Sequence, residues 1–538
     1  MKRDYDAVVI GAGFAGLYMV HYLRDRMGLD VQAFEAGRGV GGTWYWNRYP
    51  GARCDSESYY YCYSFSPELE QEWEWSSKYP EQPEILSYLE HVAERFDLYR
   101  SIQFDTRVTS ARYDEMANRW LVTTEAGEQV AARFLISAVG CLSAANVPDI
   151  AGLDSFEGDW YHTGAWPHDG VDFTGKRVGI IGTGSTGIQA TPVVAAQAEH
   201  LWVFQRTPNY SIPARNFEMS PEDTLQIKAR YPEIRELARN SYGGFPYRPV
   251  DRSALADSPE QRDAHFEQLW NEEGGFKFIY GSYSDLLRSE EANYTAAEFI
   301  RRKIREIVRD PKVAEMLCPT DHPYGSKRPP VDTNYYDTFN RENVTLVDLR
   351  TSPIEEITPS GVRTGDALYP LDIIAFATGF DAMTGALLRM DIRGRNGVAL
   401  ADAWAGGPVT YLGLQVPGFP NFFTVTGPGS PSVLANMPLC IEQHVEWIGR
   451  CISHMDEEGL ATVEADEVHA EAWVDHVRDA AEATLFVKAN SWYVGANIPG
   501  KRRVFMPYPG GFKPYADKCE EVVANGYEGF VFSTAAAD

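Results

Sequence analysis

Two glycine-rich turns constrain this chain more than any other feature: VVIGAGFAGLY opens at Val8 and VGIIGTGSTGIQ at Val178. Each follows a short apolar run and precedes a helix-like stretch, the setting in which G-x-G-x-x-G denotes a dinucleotide site. The pattern predicts that Gly11 and Gly182 make the strand-to-helix turn, that Gly13 and Gly184 let backbone approach a pyrophosphate, and that Gly16 and Gly187 allow close helix–strand packing. The helix N-termini offer unpaired N–H groups and a partial positive charge to phosphates. Two such units in order predict an α/β fold with two Rossmann-like dinucleotide-binding domains. A chain that holds two dinucleotides is built to pass electrons between them.

The residues downstream of each turn differ, and the difference assigns the ligands. About twenty residues past the first glycine, the run VQAFEA puts Glu35 at the end of a second strand, where a carboxylate accepts hydrogen bonds from a ribose diol. That suits the adenosine half of FAD. The matching place after the second turn, LWVFQRTP, offers Arg206 and Thr207 and no acid. A guanidinium there pairs with a 2′-phosphate, so the second site is expected to prefer NADPH to NADH.

The chain has 538 residues, too many for one core, and its 44% hydrophobic and 13% aromatic content excludes disorder. With 76 acidic against 49 basic residues, its net charge of −27 argues against nucleic acid or an anionic membrane as partner. The bound anions must then rely on local cations. No apolar run is long enough to span a bilayer, and the first strand starts within a few residues of Met1, so no secretory signal is expected. Seven scattered cysteines form no C-x-x-C pair, which reads as reduced thiols in a cytoplasmic protein and disfavours a disulfide reductase. The expected state is a monomer or weak oligomer.

Two further runs carry a specific resemblance. GGTWYWNRYPGARCD extends from Gly41 to Asp55, and FEGDWYHTGAWP begins at Phe156. The second holds Phe156, Gly158, His162 and Trp166 in the spacing F-x-G-x-x-x-H-x-x-x-W, just before the second nucleotide strand. In these four residues the chain resembles the type I Baeyer–Villiger monooxygenases. The earlier run matches that family's second signature through Gly41, Gly42, Trp44, Tyr49, Pro50 and Asp55. The resemblance runs from the first strand to YEGF near Phe530. RYPGARCD, SWYVGANIPG and GPGSPSVLANM are shared with the phenylacetone-oxidising members, and the last of these, with its Ser-Pro-Ser segment, is more like the phenylacetone- and steroid-oxidising members than the cyclohexanone-oxidising ones.

The resemblance implies an FAD-dependent, NADPH-consuming monooxygenase that inserts one atom of O2 beside a ketone carbonyl to give an ester or lactone, through a C4a-peroxyflavin and a tetrahedral adduct. Both species are anions, and a stabilising cation must not quench the nucleophile with a proton. Arginine suits this because it stays charged and has several donors. SKRPPVDTNYY matches the family's active-site segment, which implies Arg328 as the catalytic cation, Asp55 as its orienting partner and Lys327 on the NADP 2′-phosphate beside Arg206. It also implies an FAD site built from Phe14, Ala15, Thr43, Trp44, Tyr45, Trp46, Tyr61, Val108 and Met437 as well as the first-turn glycines, Glu35 and Asp55. The NADP site would add Arg53, Thr183, Ser185, Thr186, Gln189 and Trp492. No metal is expected. His162 is expected to couple the interdomain connection to closure and not to act as an acid or base. The rival readings are a flavin monooxygenase acting on sulfur or nitrogen, and a flavoprotein that only senses redox state.

The family pattern implies an FAD domain in two segments, 1–141 and 380–538, around an NADP domain at 142–379, with a mobile loop at about 487–504. ARFLISAVG and DIIAFATGF each read as a buried strand at a crossover. Residues of about 220–313 read as a helical insertion. Ser258-Pro259-Glu260-Gln261 predicts a capping box, Thr295 with Glu298 predicts another, and Ile300, Ile304 and Val308 recur on one helical face.

Overall fold

The computed structural model describes residues 3–534 and contains two main sheet layers, one mixed and one parallel, each carrying one of the glycine turns. Met1, where the start of the chain enters the sequence reading, lies outside the described residues. The first layer has eight strands: Asp391–Arg393, Val108–Asp114, Arg119–Thr124, Gln129–Ser137, Arg3–Ile10, Val31–Phe34 and Ile102–Gln103 in spatial order, with Phe422–Thr424 also pairing to Gln129–Ser137. The second has five strands, all parallel: Val344–Asp348, His200–Gln205, Arg177–Ile181, Ile373–Phe376 and Asp159–His162. Chain segments on both sides of the second layer thus contribute strands to the first. ARFLIS lies in the strand Gln129–Ser137, and IIAF forms Ile373–Phe376.

The strands are apolar because both faces are covered. Ala7, Val8 and Val9 are fully buried in the first strand, as are Val178 and Ile180 in the other unit. Helix Phe14–His21 packs on the first layer and helix Ser185–Gln197 on the second. The two glycine turns are near copies. Gly11 has φ +106° and Gly182 φ +113°, a region where a side chain is strained. A Cβ on Gly11 would stand 2.6 Å from the Ala138 carbonyl oxygen, and one on Gly182 would stand 2.4 Å from that of Ala377. On Gly16 and Gly187 it would meet the carbonyl oxygens of Gly11 and Gly182 at 1.9 and 2.1 Å. Each helix must therefore press directly on its own turn.

Between the two-residue strands Ile212–Pro213 and Val331–Asp332, which pair in parallel, the chain makes the helical excursion. It holds helices Pro221–Arg239, Pro259–Gln268, Lys277–Tyr280, Glu290–Ile307 and Pro311–Leu317. The Ser258 and Gln261 capping box forms as predicted, and Ser220 with Asp223 forms a second one. Thr295 is not a cap. Its helix begins earlier, capped by Ser289, whose side chain accepts from Ala292 N, and the Thr295 hydroxyl bonds back to the Ala292 carbonyl at 2.7 Å. The Ser–Glu–Glu start outcompetes the Thr–Glu spacing because it adds more than a full turn, which buries Ala292 and Asn293. Ile300 and Ile304 are fully buried on one face of this helix.

Helix Met437–Glu457 packs against helix Phe14–His21 and carries a fully buried histidine. His444 Nδ1 accepts from Thr426 N at 3.0 Å, and its Nε2 lies 2.7 Å from the Tyr515 hydroxyl, which donates to the Leu412 carbonyl. Burial lowers the His444 pKa from 6.5 to about 3, so the ring is neutral in the fold. The folded pKa lies below the unfolded one. Stability is therefore full above pH 6.5 and falls with pH as the unfolded chain takes up the proton. His444 should account for about 2 kcal/mol of stability lost between pH 7 and pH 5. The His444→Asn variant should lose that part of the slope when urea unfolding midpoints are compared at the two pH values; an unchanged slope would contradict this.

Candidate active site between two nucleotide turns

The two glycine turns open on one cavity of about 1590 Å³ between the C-terminal edges of the two layers, where ligands bind in open α/β sheets. Neither helix has a side-chain cap at its N-terminus, Gly13 or Gly184, and both first turns line the cavity. A Cβ on Gly184 would meet nothing within 4 Å, so backbone there is free for close approach by a phosphate. These uncapped cradles fit FAD and NADP on the chemistry of their donors.

Nearly every candidate residue reaches this cavity. Its wall includes Gly11, Gly13, Phe14, Ala15, Glu35, Thr43, Trp44, Trp46, Asp55, Tyr61, Val108 and Met437 on one side. On the other stand Arg53, Gly182, Thr183, Gly184, Ser185, Thr186, Gln189, Arg206, Thr207, Lys327, Arg328 and Trp492. Gly16 and Gly187 lie behind, as packing glycines must. Tyr45 also stands outside the wall: its hydroxyl accepts from Arg38 N at 2.9 Å, and its ring packs on His168. It shapes the loop that carries Glu35 and does not face the cavity. Glu35 is buried, and each carboxylate oxygen accepts one backbone N–H, from Ala12 and Gly37 at 2.8 Å, leaving lone pairs for a diol.

The centre of the cavity is an ion pair. Arg328 Nε and Nη2 donate to Asp55 Oδ2 and Oδ1, each at 2.7 Å, in a two-pronged geometry. Arg328 Nη1 donates to the Val433 carbonyl at 2.6 Å, and the guanidinium carbon sits 4.7 Å above the Phe276 ring. Asn209 Nδ2 holds the Arg328 backbone carbonyl at 3.1 Å. Burial alone would lower the Arg328 pKa, but Asp55 outweighs it and holds the group above the ordinary arginine range. Val433 and Phe276 were not identified from sequence. The only local signs are the left-handed Ser432 (φ +45°) before Val433 and Gly274-Gly275 (φ +66° and +54°) before Phe276.

Arg206 is exposed on the rim and Lys327 half-buried beside it. Burial lowers the Lys327 pKa; Asp321 opposes the shift and Arg206 adds to it. Asp321 and His322 also line the cavity and were missed, being an ordinary polar pair before the SKR run. His162 is buried away from the wall, with Nδ1 accepting from Gly164 N at 3.0 Å and its ring edge-on to Phe380. Burial keeps it neutral.

Segment 487–504 closes one end of the cavity. Asn490, Ser491, Trp492, Ala496, Asn497 and Arg503 line it, while Asn497 Nδ2 donates to the Phe380 carbonyl at 2.7 Å and Lys501 pairs with Asp381. All seven cysteines are free and buried, the described residues hold no cluster of metal-ligating side chains, and no helix among them is long and apolar enough to cross a membrane.

Comparison with known proteins agrees with this geometry. Residues 5–234 match the flavin-binding monooxygenase-like family. A Baeyer–Villiger monooxygenase from Pseudooceanicola batsensis is 47% identical over 98% of this chain and 96% of its own. A phenazine N-monooxygenase from Lysobacter antibioticus is 44% identical over 98% of this chain and 97% of its own. Among solved structures, an oxidized steroid monooxygenase bound to NADP is 56% identical, with a TM-score of 0.94 over 98% of this chain and 99% of that one. The enzyme OTEMO, in complex with FAD and NADP, is 47% identical, with a TM-score of 0.95 over 99% of this chain and all of that one. The chain belongs to this family and is an FAD- and NADPH-dependent monooxygenase of the Baeyer–Villiger type.

Proposed function

We propose that the substrate is a ketone, which is oxygenated to an ester or lactone with Arg328 as the catalytic cation and Asp55 as its orienting partner. The observation that carries this reading is the two-pronged Asp55–Arg328 pair facing a cavity shared by both nucleotide turns. In this assignment FAD lies along Gly11–Gly16, Glu35, Trp44, Tyr61 and Met437, in a domain made of residues 1–141 and 380–538. NADP would be held by Gly182–Gly187, Arg206, Thr207 and Lys327 in the domain 142–379, with Trp492 as a contact to its nicotinamide ribose. Bound FAD, once reduced by NADPH, would supply the electrons that activate dioxygen, from which the transferred oxygen atom comes.

The protein's share is electrostatic. A guanidinium has five N–H donors. Three are committed to Asp55 and Val433, which leaves two for an oxygen that gains negative charge as the ketone carbonyl is attacked. Because Asp55 holds Arg328 in its charged form, the cation stabilises that oxygen without releasing a proton to a basic nucleophile. The closing segment around Trp492 and Asn497 excludes water, which would otherwise divert oxygen to hydrogen peroxide. The unpaired, buried cysteines support a reducing compartment, the cytoplasm.

Oxygenation of nitrogen is the second reading, favoured by the 44% identity to a phenazine N-monooxygenase. An electron-rich nitrogen builds no alkoxide and has little use for Arg328.

Arg328→Ala should still consume NADPH but form ester at least about 100-fold more slowly, with the missing electrons recovered as hydrogen peroxide. Product analysis by gas chromatography alongside peroxide titration checks this; ester yield within threefold of the parent enzyme would overturn the catalytic role assigned to Arg328, and a parent enzyme that forms no ester from ketones but oxygenates amines would favour the second reading.

The nucleotide assignment has its own test. Lys327→Ala and Arg206→Ala should each raise KM for NADPH about 10- to 100-fold and leave that for NADH nearly unchanged. Since Lys327 is charged below its lowered pKa, KM for NADPH should rise with pH earlier than an ordinary lysine would allow, and Lys327→Ala should flatten that rise. Equal effects on the two coenzymes would remove the 2′-phosphate assignment.

A further inference from the structure

The loop that ends in Asp55 belongs by chain order to the first layer, but its core lies in the second. Tyr49 and Ala52 are buried in the same apolar cluster as Val178, Ile188 and Val194. What fastens the loop there is one side chain on the helix that follows the second glycine turn, Gln189, itself 9% exposed. Its Oε1 accepts from the Tyr49 hydroxyl at 2.7 Å and from Arg53 N at 3.4 Å, while its Nε2 donates to the Arg53 carbonyl at 3.1 Å. The amide orientation follows from these partners, since only an oxygen can accept from Arg53 N.

Backbone fit makes the seat tighter. Gly51 has φ +80°, and a Cβ there would stand 2.5 Å from the Gln189 carbonyl oxygen, so the loop passes directly over the helix. The outer side of the loop is held separately, where the Arg53 side chain donates to the Tyr79 carbonyl at 2.7 Å and pairs with Glu81. Two residues beyond Arg53, Asp55 turns to Arg328.

We infer that Gln189 is a positioning residue for oxygen transfer, a latch that fixes the 49–55 loop on the nucleotide helix and so sets the Asp55 carboxylate against Arg328. The inference rests on the Asp55–Arg328 reading proposed above. It departs from the expectation that Gln189 is chiefly a dinucleotide contact: its carbonyl oxygen and one of its two N–H groups are occupied by the loop. The latch also accounts for the Tyr-Pro-Gly-Ala-Arg order of the motif. The tyrosine supplies the hydroxyl, the glycine the close passage, and the arginine backbone the paired hydrogen bonds.

The test uses the flavin-loaded enzyme and measures KM for NADPH, kcat with ketone, and ester formed per NADPH consumed. Gln189→Leu removes all three bonds and should lower kcat and ester per NADPH about tenfold, with KM for NADPH changed less than about threefold, since a displaced orienting group costs turnover and not coenzyme affinity. Gln189→Glu keeps both acceptor contacts and should recover part of the loss. Tyr49→Phe removes only the hydroxyl and should lower ester per NADPH in the same direction by a smaller factor; it decides the matter if Gln189→Leu fails to retain FAD. A raised KM for NADPH with kcat and ester yield unchanged would make Gln189 a coenzyme ligand and overturn the latch, as would unchanged values for all three quantities. Arg328→Ala run in parallel separates the two claims. If it keeps its ester yield, the underlying reading fails; if it loses that yield while Gln189→Leu does not, only the latch fails.

Discussion

The ion pair between Asp55 and Arg328 ties the two layers together at the place where their ligands meet. Asp55 closes a loop that starts in the first layer, and Arg328 sits just before the short strand Val331–Asp332 that ends the helical excursion of the second. Such a pair rarely adds net stability, because two charges lose water to form it. Removing one partner typically costs about 3–5 kcal/mol, since the other is left unpaired. The pair is therefore better understood as a device for geometry. It spends two donors on orientation and a third on the Val433 carbonyl, which leaves the guanidinium plane fixed over Phe276 with its remaining donors aimed elsewhere.

The two glycine turns line the same cavity, and the proposed assignment gives one nucleotide to each. Both glycine turns have the same φ region and the same collision between a hypothetical Cβ and a carbonyl of the neighbouring strand. The turns alone cannot distinguish their ligands. In the proposed assignment, discrimination comes from the strand that follows each: one ends in a buried glutamate with spare lone pairs, the other in an exposed arginine beside a half-buried lysine. On a chain with a net charge of −27, that cationic corner is a local exception to the surrounding charge.

Much of this was legible in sequence because each element has a local cause. The glycine turns, the strands that feed them and the Ser258 capping box depend on residues within a few positions of one another, and so does the amphipathic face of Ile300 and Ile304. Where a second local signal competed, sequence reasoning chose badly: Thr295 carries a cap spacing, but Ser289 starts the helix because a longer helix buries more apolar surface. Residues that act through tertiary contact left little trace. Phe276 and the Val433 carbonyl reach Arg328 from far along the chain, with no local sign beyond the Gly274-Gly275 pair and Ser432 beside them. Tyr45 shows the converse, since a motif position next to three wall residues turns its ring away from the cavity. The Gln189 contacts span 136 and 140 residues, and only the folded chain shows them meeting.

The central claim is that Asp55 and Arg328 act as one unit. A double-mutant cycle on ketone-dependent ester formation, comparing Asp55→Ala, Arg328→Ala and the double variant in the flavin-loaded enzyme, tests it most directly. Groups that act together lose their effect together, so the double variant should be no slower than Arg328→Ala alone. If the two losses instead multiply, the residues contribute independently, and the orienting role assigned to Asp55 is wrong.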